Sequence, residues 1–352
     1  MDDGLGKVDR DFLGRVLARN LGARNPAVIV GPSLGLDNAV ISIGSGRVMV
    51  VTTDPLSIIP SVGMEDSAWL SVNEVASDLA TSGVAPEFAV MDYNLPPTLE
   101  MDEFERYVKA VGRECSKLGI SIIAGHTGRY PGVDFSIVGG GMMMGTADEG
   151  GYVTPTMVQE GDEVIMTKGS AIEATAVLAR AFPETVEKRL GADVVREAQG
   201  YFRMCSTVQD SLAAGSVGLR SGGVTSMHDA TEGGVLGALY ELAQSSRRVL
   251  EVDRAKVIVS EVSRRVCSMF GLDPLLTISE GTLLVTCRPG RSADVLRKLA
   301  GKKIPAAVIG KAGRRDRGRL TILADGKSAE YVPPKTDPYW RAYSGGLERG
   351  WK

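Results

Sequence analysis

The stretch HDATEGG, residues 228–234, joins two apolar runs of different length. The short run before it, residues 224–227, predicts a strand, and VLGALYELA after it predicts a helix. Two interpretations of the junction are open. Asp229 or Thr231 could cap the helix by accepting hydrogen bonds from its first amides. Alternatively, the glycine pair could let backbone N–H groups approach a phosphate at the positive end of the helix.

Composition limits the classes of protein to which this chain can belong. It has 352 residues, of which 43% are hydrophobic and 24% are charged, as in ordinary globular proteins of about two domains. With a net charge of −3, the chain lacks the excess of basic residues that is typical of nucleic-acid-binding proteins. No apolar run approaches the roughly 18 residues that span a bilayer. The four cysteines form no CxxC pair, which argues against zinc or disulfide frameworks and predicts a cytoplasmic protein without a signal peptide.

Apolar runs of strand length alternate with helical periodicity along the whole chain, which predicts an α/β protein. The polar segment PTMVQEGDE, residues 155–163, interrupts the pattern, and the pattern restarts after it. We therefore predict two α/β domains, residues 1–154 and residues 155–352. The basic run RRDRGR, residues 314–319, lies between apolar runs and predicts a solvated hairpin turn.

Four aspartates stand where apolar runs meet loops or helices. Asp37 precedes one predicted strand, Asp54 follows another, Asp78 lies inside an apolar helical pattern, and Asp229 belongs to HDATEGG. Each of them alone also fits a turn or cap. Asp78 fits that interpretation least, because a buried carboxylate is costly unless it is paired or bound to a cation. Carboxylates beside glycine-rich loops favour Mg²⁺ bound together with a nucleotide.

The chain has only two histidines, His126 and His228, and both lie at glycine-flanked junctions. Each could be structural or catalytic. The sequence has no GxxxxGK[ST] loop, and GGG at 139–141 lacks the dinucleotide spacing. The sequence therefore does not support assignment to the P-loop or Rossmann classes.

Seven motifs in order resemble the superfamily of aminoimidazole ribonucleotide synthetase, formylglycinamidine synthase, selenophosphate synthetase, thiamine-monophosphate kinase and the hydrogenase-maturation protein HypE. The motifs are DNAV (37–40), TTDP (52–55), VNEVASDLATSGVAP (72–86), GHT (125–127), MTKGSAIEATAVLA (166–179), MHDATEGGVLGAL (227–239) and DPLLTISEGTLLV (273–285). The last two are most similar to HypE.

The resemblance implies a PurM-like α/β fold in two domains: an amino-terminal mixed sheet that forms a dimer barrel, and a carboxy-terminal α/β sandwich. It implies a homodimer that binds ATP and Mg²⁺, with no nucleic acid or membrane partner. Transferred onto matching positions, it gives metal ligands Asp37, Asp54, Asp78 and Asp229; nucleotide-binding residues Thr53, Asp54, Asp78, Gly125, Thr127, Gly233 and Gly234; and catalytic residues His126, Lys168 and Glu280.

The function implied is phosphorylation, with Mg–ATP, of an amide or carbonyl-type oxygen, as in HypE and hydrogenase maturation. One departure concerns the tail. HypE ends in a cysteine, whereas this sequence has no cysteine after Cys287, so we expect no terminal thiolate here. The tail could still dock on the body through Tyr339, Trp340 and Trp351. Two alternatives stay open: a small-molecule kinase resembling thiamine-monophosphate kinase, and a non-catalytic nucleotide-binding assembly protein.

Overall fold

Two mixed β-sheets, each packed against helices, organise the chain. The structure is a computed structural model, and it describes residues 6–8 and 10–352. The first α-helix and the first strand in this part of the chain are α1 (Arg10–Arg15) and β1 (Val28–Val30). The fold class predicted from the sequence, α/β with two sheets, is confirmed.

The first sheet has six strands in the order β1-β2-β3-β6-β4-β5. The further strands are β2 (Ala39–Gly44), β3 (Arg47–Ser57), β4 (Phe88–Leu95), β5 (Ser121–Arg129) and β6 (Ile137–Asp148). Only β4 and β5 pair in parallel. Helices α2 (Met64–Ala80) and α3 (Met101–Leu118) bury this sheet's core, which includes Val72, Tyr107 and Met143. One face of α2 is therefore held against β3, where Asp54 lies.

The second sheet has seven strands in the order β13-β12-β9-β11-β7-β10-β8. They are β7 (Glu163–Thr167), β8 (Val224–Ala230), β9 (Arg248–Asp253), β10 (Thr282–Cys287), β11 (Ala306–Arg315), β12 (Arg319–Ala324) and β13 (Lys327–Glu330). The helices of this half are α4 (Ile172–Ala181), α5 (Pro183–Leu190), α6 (Ala192–Gly200), α7 (Val208–Gly215), α8 (Gly234–Ser246), α9 (Glu261–Phe270), α10 (Ser292–Gly301) and α11 (Pro338–Glu348).

The carboxy-terminal tail docks on the helices of the second half, as predicted. Tyr339 is buried, and the Trp351 ring packs on Phe270 and Phe182 with centroid distances of 5.1 and 6.1 Å. This contact holds α11 against α4, so the tail forms part of the wall of the space between the sheets.

Two sequence predictions need correction. The strand that leads into HDATEGG does not end at Met227. It runs to Ala230, because its pairing with β10 continues through His228, Asp229 and Ala230. The RRDRGR segment is not a hairpin turn, since β12 pairs in parallel with β9 and not with β11.

Polar contacts join the half of the chain that carries the first sheet to the half that carries the second. The Thr207 amide donates to Ser77 Oγ at 2.8 Å, and His228 contacts Asp37. Arg180 and Arg203 both pair with Asp66 on α2. The space between the halves is lined by α2 and β3 on one side and by α4 and the segment after β8 on the other.

Gly139 provides a test of the first sheet. Its φ is +146°, and a Cβ there would collide with the carbonyl oxygen of Asp92 on the paired strand β4. We expect Gly139→Ala to lower the free energy of unfolding by roughly 2 kcal/mol or more in urea titration. The control is Gly112→Ala in α3, where a Cβ meets nothing within 4 Å, and it should stabilise by up to about 1 kcal/mol. Equal effects of the two substitutions would contradict the pairing.

Candidate functional site

A cavity of about 590 Å³ lies between the two halves. Its walls are parts of β3, α2 and α4, the HDATEGG segment, the segment before β10, and α11. Among the described residues that line it, Lys7 is the one lysine or arginine. The acidic lining residues are Asp37, Asp54, Glu74, Asp78, Glu173, Glu232 and Glu280. Such a cleft favours cations and opposes bare anions.

One corner of the cleft has the geometry of a metal site. Ligand atoms of Asp37, His228 and Asp229 all lie within 4.8 Å of one another. Asp229 is 1% exposed, and among the described residues neither of its carboxylate oxygens has a hydrogen-bond partner. A buried carboxylate in that state is costly, and a divalent cation with oxygen ligands removes the cost. The residues present therefore fit Mg²⁺.

His228 holds Asp37 in place. Its Nδ1 lies 2.7 Å from Asp37 Oδ2, and its Nε2 lies 3.2 Å from Glu241 Oε2 on α8. Burial lowers the pKa of His228, but the two carboxylates outweigh it and raise that pKa well above its ordinary value. A ring that carries both protons donates to both carboxylates and has no lone pair for a metal. His228 therefore orients the ligand Asp37.

Burial, reinforced by mutual repulsion, raises the pKa values of the acidic residues. Burial, followed by neighbouring negative charges, raises the pKa of Asp229 to about 7 and that of Asp78 well above its usual value. Burial also raises the pKa of Asp54 to about 6, against the opposing charge of Lys7. These carboxylates lose their protons more readily when a cation binds.

A second group of carboxylates lines the cleft near α4 and α11. Burial raises the pKa of Glu173 to about 7 and that of Glu74 well above its ordinary value. The amide of Glu280 donates to Glu173 Oε2 at 3.2 Å. The sequence interpretation missed Glu74, although Glu74 and Asp78 are four residues apart on α2 and share a helix face. It also missed Lys7, whose Nζ donates to Thr231 Oγ1 at 3.0 Å.

The structure brings several predicted residues together. Asp37, Thr53, Asp54, Asp78 and Glu280 line the cleft, and Asp229 lies beside Asp37. Their roles as ligands stay predictions, since geometry alone does not assign them.

Both amides of the glycine pair in HDATEGG are hydrogen-bonded within the protein. Gly233 is the residue before α8, and its amide donates to the carboxylate of Asp337 at 2.7 Å. The amide of Gly234 donates to the Thr231 carbonyl, and a Cβ on Gly234 would collide with the backbone at 275–277. These amides are therefore engaged by the protein itself, and the nucleotide-binding role of Gly233 and Gly234 stays a prediction. In the described part of the chain, neither Asp229 nor Thr231 caps α8; the Asp337 carboxylate, from the tail, accepts a hydrogen bond from the amide of the residue before the helix.

The structure does not bring the remaining predicted residues to the cleft of this chain. Gly125, His126 and Thr127 lie on the exposed edge strand β5, where His126 Nε2 is 2.8 Å from the Tyr130 hydroxyl. The Lys168 side chain is 7% exposed, and its ammonium donates to two backbone carbonyls and to Asp210 Oδ2 at 3.2 Å. Lys168 thus has the contacts of a structural cation, and the catalytic role predicted for it stays a prediction.

Two family models match the chain. "AIR synthase related protein, N-terminal domain" matches residues 35–147, and "AIR synthase related protein, C-terminal domain" matches residues 159–323. No helix in the described part of the chain has the length and apolarity to cross a membrane.

Similar proteins include a putative hydrogenase expression/formation protein from Methanocaldococcus jannaschii, 26% identical over 93% of this chain and 94% of the relative. Carbamoyl dehydratase HypE from Rhizobium leguminosarum bv. viciae is 27% identical over 78% of this chain and 76% of its own length. A crystal structure of the hydrogenase maturation protein HypE in complex with ATP has a TM-score of 0.68 at 21% identity, covering 95% and 97% of the two chains. The structural match establishes the shared fold.

The raised pKa values predict how stability depends on pH. Asp54, Asp229 and Glu173 keep protons in the folded state up to about pH 6 to 7, where the unfolded chain has already lost them. The free energy of unfolding should therefore fall as pH rises from about 5 to about 8, by roughly 1 kcal/mol or more. Urea titrations with and without MgCl₂ measure this, and Mg²⁺ should restore more stability at the higher pH. Stability that rises over this range, in the absence of divalent cations, would contradict the arrangement.

Proposed function

The chain belongs to the AIR synthase related family, and from that premise we propose that it binds Mg–ATP in the acidic cleft and phosphorylates an amide or carbonyl-type oxygen. The observation that carries the proposal is Asp229, a buried carboxylate beside Asp37. In the part of the chain that the structure describes, it has no hydrogen-bond partner, and it lies next to a cleft lined there by seven acidic residues. The similarity to carbamoyl dehydratase HypE and to the fold of a HypE that binds ATP supports it.

Asp37, Asp54, Asp78 and Asp229 are the proposed Mg²⁺ ligands. When bound, Mg²⁺ neutralises phosphate charge and orients the triphosphate for transfer. Lys7 and Thr53 face the same cleft, so Lys7 can contact a phosphate oxygen by charge and hydrogen bond. The cleft itself repels a bare triphosphate, which makes nucleotide binding depend on the cation.

The proposed reaction proceeds by positioning and charge neutralisation. The bond between the β- and γ-phosphates breaks as the γ-phosphorus bonds to the acceptor oxygen, and ADP leaves. For an amide acceptor, one proton leaves the nitrogen in this step. The second goes out with the phosphate as the carbon–nitrogen bond becomes triple. We propose Glu280, whose side chain faces the cleft, as the group that takes the first proton.

We further propose a homodimer formed through β5, the edge strand of the first sheet. Ile122 and Ile123 on this strand are 46% and 57% exposed, and an uncovered apolar edge strand favours pairing with another chain. In such a dimer, Gly125, His126 and Thr127 on β5 face the second copy. The division at residue 154 then separates an ATP-binding and dimerisation domain from a substrate-binding domain. We expect the protein to act in the cytoplasm.

The site assignment is tested by Asp54→Asn and Asp78→Asn. Each removes one negative charge from the cation site with little change in shape. We expect at least about 30-fold weaker binding of Mg–ATP by calorimetric titration, because a charged ligand is replaced by a neutral one. The control is Asp193→Asn, since the Asp193 side chain is 99% exposed on α6. Unchanged affinity in both cleft variants would falsify the assignment.

The products of turnover distinguish the proposed activity from its alternatives. ADP and phosphate together with a dehydrated product support activation of an amide oxygen. A stable phosphorylated metabolite identifies a small-molecule kinase instead, and nucleotide binding without turnover identifies an assembly protein.

The dimer is tested by Ile123→Glu. A charge at the centre of the exposed β5 surface should shift the protein from dimer to monomer in light scattering after size-exclusion chromatography. The control is Val332→Glu, because Val332 is 77% exposed and lies outside both sheets. A dimer that survives Ile123→Glu, or a wild-type monomer, would exclude the proposed interface.

A further inference from the structure

Three glutamates form one side of the cleft, away from the Asp37–Asp229 corner. Glu74 comes from α2, Glu173 from the first turn of α4, and Glu280 from the segment before β10. All three line the cavity. We call them the glutamate cluster. Because three separate elements supply them, their convergence is a property of the fold.

The glutamate cluster lacks a compensating charge. Within the part of the chain that the structure describes, no lysine or arginine lies in ion-pair contact with these carboxylates. Glu280 is 4% exposed, and its Oε1 has no hydrogen-bond partner among the described residues. An unpaired buried acceptor is unfavourable, and more so when it is charged. A ligand that brings positive charge and N–H donors would remove that cost.

The Asp37–Asp229 corner suits a metal ion better than the glutamate cluster does. Among the described residues, only Asp37, His228 and Asp229 bring three ligand atoms within 4.8 Å of one another. Mg²⁺ needs oxygens at about 2.0–2.1 Å, so this corner is the first place in the cleft for it. A larger cation whose charge is spread over several N–H groups can reach carboxylates that stand farther apart.

Aromatic side chains complete this side of the cleft. Tyr339, Trp340 and Tyr343 of α11 all line the cavity. The rings of Tyr339 and Tyr343 stack with centroids 5.8 Å apart, and the Trp340 ring meets Tyr339 edge-on at 5.4 Å. Aromatic faces attract organic cations through their quadrupoles, and this attraction is strongest for ligands out of water.

We propose that the glutamate cluster, together with the aromatic residues of α11, is the acceptor subsite, and that the acceptor carries an organic cation of the ammonium, amidinium or guanidinium class. That the bound cation is the phosphoryl acceptor rests on the proposed function. That the subsite prefers a cation rests only on the carboxylates and the aromatic rings. The subsite lies in the same cavity as the proposed Mg–ATP site, so the two ligands can meet.

The test compares two probes of similar shape, methylguanidinium and the neutral N-methylurea, by ligand-observed NMR titration of the full chain. It is run with Mg²⁺ and a non-hydrolysable ATP analogue, and again without nucleotide. We expect methylguanidinium to bind at least about tenfold more tightly than N-methylurea, because only the cation forms charge-assisted hydrogen bonds with the carboxylates. Glu280→Gln and Glu173→Gln should each reduce this preference about fivefold or more.

Controls separate a loss of binding from a loss of folding. Glu103→Gln changes an exposed carboxylate on α3 and should leave the preference intact. Tyr343→Leu keeps every carboxylate and should weaken methylguanidinium binding about threefold through the lost aromatic face. Each variant is shown to be folded by a cooperative thermal transition whose midpoint is not below that of the wild type.

Two outcomes overturn the proposal. One is equal binding of the two probes. The other is displacement of methylguanidinium by MgCl₂ in the absence of nucleotide, which would show that the glutamate cluster binds metal. If methylguanidinium is preferred but the ATP analogue does not bind, the cation subsite stands and the proposed function fails. The two proposals can therefore fail separately.

Discussion

The hydrogen bond between His228 Nδ1 and Asp37 Oδ2, 2.7 Å long, connects the two halves at the point where the cleft is most acidic. Asp37 precedes the first sheet's β2, and His228 lies on β8, the edge of the second sheet. Glu241 on α8 contacts the other ring nitrogen, so the imidazolium is held between two carboxylates. Without this positive charge, Asp37 and Asp229 would repel each other across the junction. The same contact therefore serves the assembly of the halves and the geometry of the proposed metal site.

The cleft illustrates how a site can be unfavourable to the fold and favourable to a ligand. Carboxylates from both halves are buried close together, and their raised pKa values record the cost in free energy. The hydrophobic cores behind β3 and β8 offset that cost. A divalent cation at one corner and an organic cation at the other would lower it. Ligand binding and conformational stability are thus coupled through charge.

Local pattern predicted most strands and helices and the aspartates of the cleft. Asp78 could be found because a carboxylate inside an apolar helical pattern is visible in the sequence. Other features depend on topology. Asp337 meets the Gly233 amide across 104 positions of sequence, and no local signal indicates that pairing. Likewise, Lys168 matches a motif, but only the structure shows its ammonium surrounded by carbonyls and Asp210. The prediction of a hairpin at 314–319 is wrong, because the order of the strands depends on the whole sheet and not on the local sequence.

Of the chain's three tryptophans, Trp340 alone lines the cleft, where its indole Nε1 donates to Glu232 Oε1 at 3.2 Å. Trp69 packs against Phe202, and Trp351 lies against the rings of Phe182 and Phe270 at the tail. Any occupant of the cleft changes the polarity around one indole and leaves the other two in their surroundings. Intrinsic tryptophan fluorescence therefore reports ligand binding in the cleft, without an added dye.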